Sequence, residues 1–206
     1  MFPRSRILAA VLAICALAAG CKKQVPKLIV PEVFHARFIT SQGDFIVESQ
    51  RAWAPHGVDR FYELMHMHYF DQNRFFRVLP GFIAQFGAHR DFNVHATWRN
   101  FFIPDDPPKL KNQRGTLAFA KSGPDTRSTE IFINLADNTS LDAEFFVPIA
   151  KITQGVEVID KLYSGYGEMR PEGKWIDRGR VEEETNEYLV QRFPKLDYIQ
   201  RTEILP

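Results

Sequence analysis

Cysteine is scarce in this chain: among 206 residues there are two, Cys15 and Cys21, and both lie close to the N-terminus. A disulfide within the chain after residue 21 is therefore excluded, so the stability of a domain formed there must come from a hydrophobic core. Hydrophobic residues make up 45% of the chain and include 18 phenylalanines, which is enough for such a core. The length predicts one domain, with or without a tail.

The chain has no large excess of positive or negative charge: 26 basic and 25 acidic residues give a formal net charge of +1. The basic residues are interspersed with acidic ones, which argues against a nucleic-acid partner. Metal-ligand spacing is also lacking: His66 and His68, two positions apart, cannot share a helix face. We therefore predict no nucleic acid, no metal and no cofactor, and we expect a monomer.

Long hydrophobic runs are absent too, and the longest extends from Ile7 to Ala19. A helix of that length measures about 20 Å, whereas the hydrocarbon core of a bilayer is about 30 Å thick. Arg4 and Arg6 precede the run and small residues end it, which is the pattern of a secretion signal. Residues 18–21, Ala-Ala-Gly-Cys, resemble a bacterial lipobox, in which the cysteine is lipidated and begins the mature protein.

This resemblance implies a lipoprotein signal peptide at residues 1–20 and lipidation of Cys21; an ordinary cleaved signal with an incidental cysteine is the alternative. We expect an exported protein that is lipid-anchored to a bacterial membrane and faces the periplasm. Lys22, rather than aspartate, follows the cysteine, which favours the outer membrane over the inner. Residues 21–32 are predicted to form a tether, and residues 33–206 a single domain.

The domain is predicted to contain many short strands and few helices. Turn formers at residues 41–44 separate two alternating segments, which indicates a β-hairpin. Helical apolar spacing is seen at Pro55–Met67. Other strands are predicted on both sides of the Pro80-Gly81 turn and at Gly115–Ala120, Glu130–Leu135 and Phe145–Ile152, with a short helix at Val156–Leu162. This pattern favours an antiparallel barrel plugged at its ends.

Two further segments are less regular. Residues 91–111 are polar and contain proline, so we predict a long loop there. Helical spacing returns at Val181–Arg192, before a final strand. We expect Glu182, Glu183 and Glu184 to lie in the solvated first turn of that helix, where negative charge suits the helix dipole.

Arg77 is the most informative residue, because it lies inside the apolar and aromatic stretch Phe75–Gln85. A guanidinium is always charged and presents a rigid fork of donors, so it needs either water or a specific acceptor. That acceptor is either a carboxylate of the same fold or the carbonyl group of a molecule bound in an apolar groove. The rest of the chain favours the groove.

Three motifs, in this order, resemble the cyclophilin family of peptidyl-prolyl cis/trans isomerases. They are Phe75-x-Arg77-x-x-Pro80-Gly81-Phe82-x-x-Gln85; then Gly115–Ala120 with Gly123-Pro124-Asp125-Thr126; then Ile131–Asn138 with Leu141-Asp142. The resemblance covers about residues 34–162, and the segment from about residue 163 resembles an extension of some exported bacterial members. It implies a mainly β fold: an eight-stranded antiparallel barrel capped by two helices, with a C-terminal helix and strand extension.

The resemblance also implies which residues act. Arg77 and Gln85 would be catalytic, and the substrate groove would be formed by Phe82, Ile83, Ala120, Lys121, Glu130, Phe132, Leu141 and Phe145. Its substrates would be unfolded or extended polypeptides that contain proline. Rotation about an X-Pro bond has a barrier of about 18–20 kcal/mol, because the amide is planar. When the bond twists, the prolyl nitrogen regains its lone pair, and a guanidinium beside it can donate to that nitrogen.

Two departures from the family pattern bear on activity. Glu130 replaces a glutamine and is expected to lie close enough to Arg77 to form an ion pair, while Phe145 is expected to narrow the pocket. Two functions therefore stay open. The first is a prolyl isomerase that assists the folding of exported proteins; the second is a catalytically weak chaperone or peptide-binding module that uses the same groove.

Overall fold

The computed structural model describes residues 28–170 and 175–206. The predicted signal peptide, Cys21 and most of the predicted tether lie outside these residues. Among the helices that are described, none is long and apolar enough to cross a membrane.

Eight strands form one antiparallel sheet, as predicted: β1 Val33–Thr40, β2 Gly43–Gln50, β3 Arg77–Val78, β4 Ile83–Phe86, β5 Thr116–Phe119, β6 Ile131–Asn134, β7 Pro148–Gln154 and β8 Ile199–Leu205. Their order across the sheet is β3-β4-β6-β5-β7-β2-β1-β8. The chain just before β3 meets the chain just before β8 at a bridge between Arg74 and Tyr198. The sheet therefore curves until its two edges meet.

The first hairpin follows directly from the alternation of its residues. Phe34, Ala36 and Phe38 of β1 point into the core, as do Phe45 and Val47 of β2. Phe38 lies opposite Phe45 in the register, and their rings stack with centroids 4.9 Å apart. Such cross-strand aromatic pairs stabilise a sheet and fix its register.

In the described part of the chain the helices are α1 Pro55–His66, α2 Phe92–Trp98, α3 Thr139–Ala143 and α4 Arg178–Arg192, with a 3-10 helix at Val156–Lys161. The helices predicted at Pro55–Met67, Val156–Leu162 and Val181–Arg192 are present, and α2 and α3 are additional. The prediction of a continuous loop at residues 91–111 is wrong, because α2 lies within it. Asp91 caps α2 by accepting hydrogen bonds from the backbone N–H groups of Asn93 and Val94. This cap was the available sequence signal for a helix too short to show clear periodicity.

Another part of residues 91–111 stabilises the start of α1. The side chain of Asp106 is buried, and its two oxygens accept hydrogen bonds from the backbone N–H groups of His56 and Gly57 at 2.9 and 2.8 Å. The same carboxylate pairs with the buried Arg127, whose Nη2 lies 3.0 Å away. Asp106, 50 positions after His56, therefore provides the hydrogen-bond acceptors that the free N–H groups in the first turn of α1 need.

The predicted extension is built into the fold, because its final strand β8 pairs with β1 and is the eighth strand of the sheet. Before β8, residues of α4 and its neighbours form a second, smaller core with Phe76 and Ala88: Ile176, Val181, Tyr188, Leu189, Phe193 and Leu196. The two ends of the intervening segment meet, since the backbone N–H of Tyr163 donates to Asp197 Oδ2 at 2.6 Å. The segment from Tyr163 to Asp197 is thus an insertion between the seventh and eighth strands, and it is called the insertion below.

Candidate active site

A cleft of about 840 Å³ contains nine of the ten predicted catalytic and groove residues: Arg77, Phe82, Ile83, Gln85, Ala120, Lys121, Glu130, Phe132 and Leu141. The strand register explains three of them. Arg77 of β3 lies opposite Gln85 of β4, which in turn lies opposite Phe132 of β6. Residues that are directly opposite share one face of a sheet, so these side chains form a row.

That row lies on the outer face of the barrel. Neighbouring residues in the strands, such as Val78, Ala84, Phe86, Ile131 and Ile133, belong to the main core. Successive side chains of a strand point to opposite faces, so Arg77, Gln85 and Phe132 face outward. Phe86, which follows Gln85, is buried in the core and does not line the cleft.

The floor of the cleft is apolar. Ile83, Ala118, Phe132 and Leu141 are buried together, with Phe82, Ala120 and Phe146 packed partly against them. The rings of Phe132 and Phe146 meet edge to face at a centroid distance of 5.6 Å. These residues form a pocket suited to a small apolar ring.

The prediction for Phe145 is wrong, because this side chain does not line the cleft and is 59% exposed. Phe146 lines the cleft instead. Helix α3 ends at Ala143, and Phe145 follows with φ of 58°, a left-handed conformation that turns its side chain away. The chain thereby presents the second of two adjacent phenylalanines to the cleft.

This pair of neighbours allows a matched test. We expect Phe146→Ala to weaken the binding of a short proline peptide about tenfold, because it removes an apolar wall of the pocket. Phe145→Ala should change the affinity less than about twofold, since its side chain lies in solvent. Titration of each variant followed by NMR measures both values, and equal losses in the two variants would contradict the assignment of the wall to Phe146.

Arg77 is held by the carboxylate of Glu168, a residue that no sequence motif indicated. Its Nε donates to Glu168 Oε1 at 2.6 Å, its Nη2 donates to Glu168 Oε2 at 2.7 Å, and its Nη1 donates to Gln85 Oε1 at 3.2 Å. The hydrogen bond from Arg77 is the main reason why the pKa of Glu168 is lowered. Of the two acceptors considered for Arg77, the carboxylate of the same fold is therefore present. It belongs to Glu168 and lies inside the groove.

Glu130 does not form the expected ion pair with Arg77. Its Oε2 accepts from Gln85 Nε2 at 2.5 Å, and its Oε1 accepts from Arg178 Nη2 at 2.8 Å. Gln85 thus separates the two residues. Burial raises the pKa of Glu130, an effect that Arg178 opposes and the nearby Glu182 reinforces.

Glu182 is not in the fully solvated position that was predicted for the acidic run. It accepts hydrogen bonds from His95 Nε2 at 3.1 Å and Arg178 at 3.3 Å, and Arg99 Nη1 lies 3.3 Å from it. Burial alone would raise the pKa of Glu182, but the hydrogen bonds, with that from His95 the largest, lower it to about 2. The start of α4 is therefore tied into the polar wall of the cleft.

Within residues 28–170 and 175–206, no three histidine, cysteine or acidic residues are grouped so that they could hold a metal ion. The cleft instead offers a guanidinium fork, an amide and an aromatic pocket on the outside of an antiparallel barrel. Hydrogen-bond donors thus lie beside an apolar pocket, a combination that suits an extended peptide.

Comparison with known proteins identifies the family. The family model described as cyclophilin type peptidyl-prolyl cis-trans isomerase/CLD matches residues 35–181. Peptidyl-prolyl cis-trans isomerase A of Dickeya dadantii (strain 3937) is 32% identical over 164 residues, which cover 76% of this chain and 83% of that protein. Peptidyl-prolyl cis-trans isomerase B of Escherichia coli (strain K12) is 28% identical over 133 residues, covering 61% and 81% respectively. This chain belongs to the cyclophilin-type peptidyl-prolyl cis-trans isomerases, as its motifs predicted.

A solved structure supports the assignment of the fold. A cyclophilin type peptidyl-prolyl cis-trans isomerase of Cryptosporidium parvum superposes with a TM-score of 0.60 at 21% identity, covering 84% of this chain and 98% of that one. A second structure of that protein, in the presence of the dipeptide Ala-Pro, gives a TM-score of 0.59. The family match also extends beyond residue 162, where the motif resemblance ended, and reaches the start of α4.

Proposed function

We propose that Arg77 catalyses the isomerisation by stabilising the twisted X-Pro amide. The observation that carries this proposal is the row of Arg77, Gln85 and Phe132 across three paired strands, which places a guanidinium beside an apolar pocket. A proline ring seated against Phe132 would bring its nitrogen towards that guanidinium. Donation to the nitrogen is favourable only when the bond is twisted, so the interaction stabilises the transition state more than either planar isomer.

Gln85 has the second role in this proposal. Its Oε1 accepts from Arg77 and one hydrogen of its Nε2 is donated to Glu130, so one N–H remains for a peptide carbonyl. Glu130 thereby fixes which end of the amide faces Arg77. The backbone around Ala120 and Lys121, at the edge of the cleft, would pair with the extended peptide in the manner of an added strand.

A catalytically weak chaperone or peptide-binding module is the second candidate. One observation favours it: two donor groups of Arg77 are already engaged by Glu168. Exchange between the cis and trans forms of a short X-Pro peptide, measured by NMR with wild-type protein, separates the two candidates. Accelerated exchange supports the isomerase, and peptide binding without acceleration supports the module.

We further propose that the protein assists the folding of exported, proline-containing polypeptides while it is anchored through Cys21. The apolar run at residues 7–19 and the lipobox-like residues 18–21 support this proposal. We propose that the anchor lies in the outer membrane, because lysine and not aspartate follows the cysteine. We also propose that the protein acts as a monomer.

Replacement of the cysteine tests the anchor. When the full chain is produced in a Gram-negative host, wild type should sediment with membranes and carry the mass of a lipid, whereas Cys21→Ala should not. A density gradient then distinguishes the outer from the inner membrane. Wild-type protein that is cleaved but carries no lipid would show that the segment is an ordinary signal peptide.

A further inference from the structure

The contact between Arg77 and Glu168 lies within the cleft and not behind it. Glu168 and the adjoining Met169 line the same cavity as Phe132 and Ile83, while the Glu168 side chain remains 41% exposed. Space that a bound peptide would use beside Arg77 is therefore taken by a residue of the insertion.

The chemistry of this contact favours the carboxylate over a peptide. A guanidinium has five N–H donors, and Glu168 takes a parallel pair of them, from Nε and Nη2. Such a bidentate pair joins two opposite charges through two parallel hydrogen bonds, whereas a peptide carbonyl or prolyl nitrogen is a neutral acceptor. A peptide group must therefore displace or share an acceptor that is stronger than itself.

Glu168 is fixed to its own loop, and the insertion is attached to the cleft at a second point. Glu168 Oε1 also accepts from the backbone N–H of Met169 at 2.9 Å, which fixes the side chain relative to its own loop. Beyond Gln85, the insertion is attached again where Arg178 pairs with Glu130. The insertion thus contacts Arg77 directly and Gln85 only through Glu130.

We propose that Glu168 is an intramolecular competitor of the substrate, which occupies Arg77 until a peptide displaces it and so limits the activity of this isomerase. The proposal rests on the function proposed above for Arg77. It assigns to the insertion a regulatory role at the same site, exerted through one carboxylate.

A second ion pair of the insertion provides the matched control. Glu184 holds Arg180 with the same bidentate geometry, at 2.6 Å to Nε and 2.8 Å to Nη2, but it does so on the exposed side of α4, outside the cleft. Glu184→Gln therefore removes an equivalent ion pair from the same insertion without touching Arg77.

The test compares Glu168→Gln, which keeps the size of the side chain and removes its charge, with Glu184→Gln. We expect Glu168→Gln to raise kcat/KM for a neutral Ala-Pro peptide by about three- to tenfold and to lower the peptide Kd measured by NMR titration. Glu184→Gln should match wild type in both values. In an Arg77→Ala background the Glu168→Gln change should have no effect on Kd, because its target is gone.

The outcomes separate this proposal from the function on which it rests. Unchanged or weaker peptide binding in Glu168→Gln overturns the competitor and indicates that the carboxylate positions Arg77 instead. Tighter binding without catalysis in any variant retains the competitor and rejects the isomerase function. The signal of the Arg77 Nε–H provides an independent readout: it should shift in Glu168→Gln and stay in place in Glu184→Gln, and no shift would also overturn the proposal.

Discussion

An Arg77→Ala variant is expected to isomerise a short X-Pro peptide with a kcat/KM about a hundredfold below that of wild type. Removal of a single donor aimed at developing charge typically costs about 2.7–4 kcal/mol, and each 1.36 kcal/mol is a factor of ten in rate. Peptide binding should fall far less, because Phe132, Ile83 and Leu141 still form the pocket. NMR exchange measures the rate, and a titration of the same sample measures the affinity.

The control for this prediction is Arg77→Lys. Lysine retains the charge but lacks the planar fork, so it should restore only part of the rate. The free energy of unfolding should stay close to that of wild type in both variants, since the Arg77 side chain is partly exposed at the cleft. An alanine variant that isomerises within about twofold of wild type would contradict the assignment of catalysis to Arg77.

The largest effect on stability is expected from Asp106→Ala, which should lower the free energy of unfolding by about 3–5 kcal/mol. The substitution removes the more deeply buried of the two carboxylates that pair with Arg127, leaving Asp105 at 3.2 Å from its Nε, and it removes the acceptors of two backbone N–H groups at the start of α1. Removing one member of a buried ion pair is costly because the remaining charge stays out of water. Urea denaturation measures the change.

Asp160→Ala is the matched control for Asp106→Ala. Asp160 pairs with Arg114 at 2.8 Å, but both side chains are well exposed, so its loss should cost less than about 1 kcal/mol. Should Asp106→Ala not fold, Asp106→Asn keeps one oxygen acceptor and should show an intermediate loss. Equal effects of the two alanine variants would show that burial of the Asp106–Arg127 pair is unimportant.

The row of Arg77, Gln85 and Phe132 could be predicted from the sequence because its members belong to short motifs whose register is local. Arg77 and Gln85 lie on either side of one tight turn, so the spacing within a single motif places them together. The choice between Phe145 and Phe146 could not be made in this way. The two phenylalanines are identical in type, and their directions differ because Phe145 itself has a left-handed backbone conformation. Sequence periodicity does not predict that conformation.

The partners of Arg77 and Glu130 illustrate a different limit. Glu168 lies 91 positions after Arg77, and Arg178 lies 48 positions after Glu130, in a segment without the motifs of the barrel. A carboxylate in a loop has no pattern that distinguishes it from a solvated one. These pairings depend on how the insertion packs through its own small core, which is tertiary information.

The place of β8 after the insertion determines how the protein can be dissected. A chain cut short after Leu162 would lack its last strand and leave β1 as an open edge, and such edges invite association with other chains. Internal excision is the workable alternative, because the hydrogen bond between Tyr163 and Asp197 brings the two ends of the segment side by side. Joining these ends with a short connection would preserve all eight strands and take away Glu168 and Arg178 together. The excision would also uncover Phe76 and Ala88, which the small core of the segment buries, so the segment serves the barrel as a cover as well as an insertion.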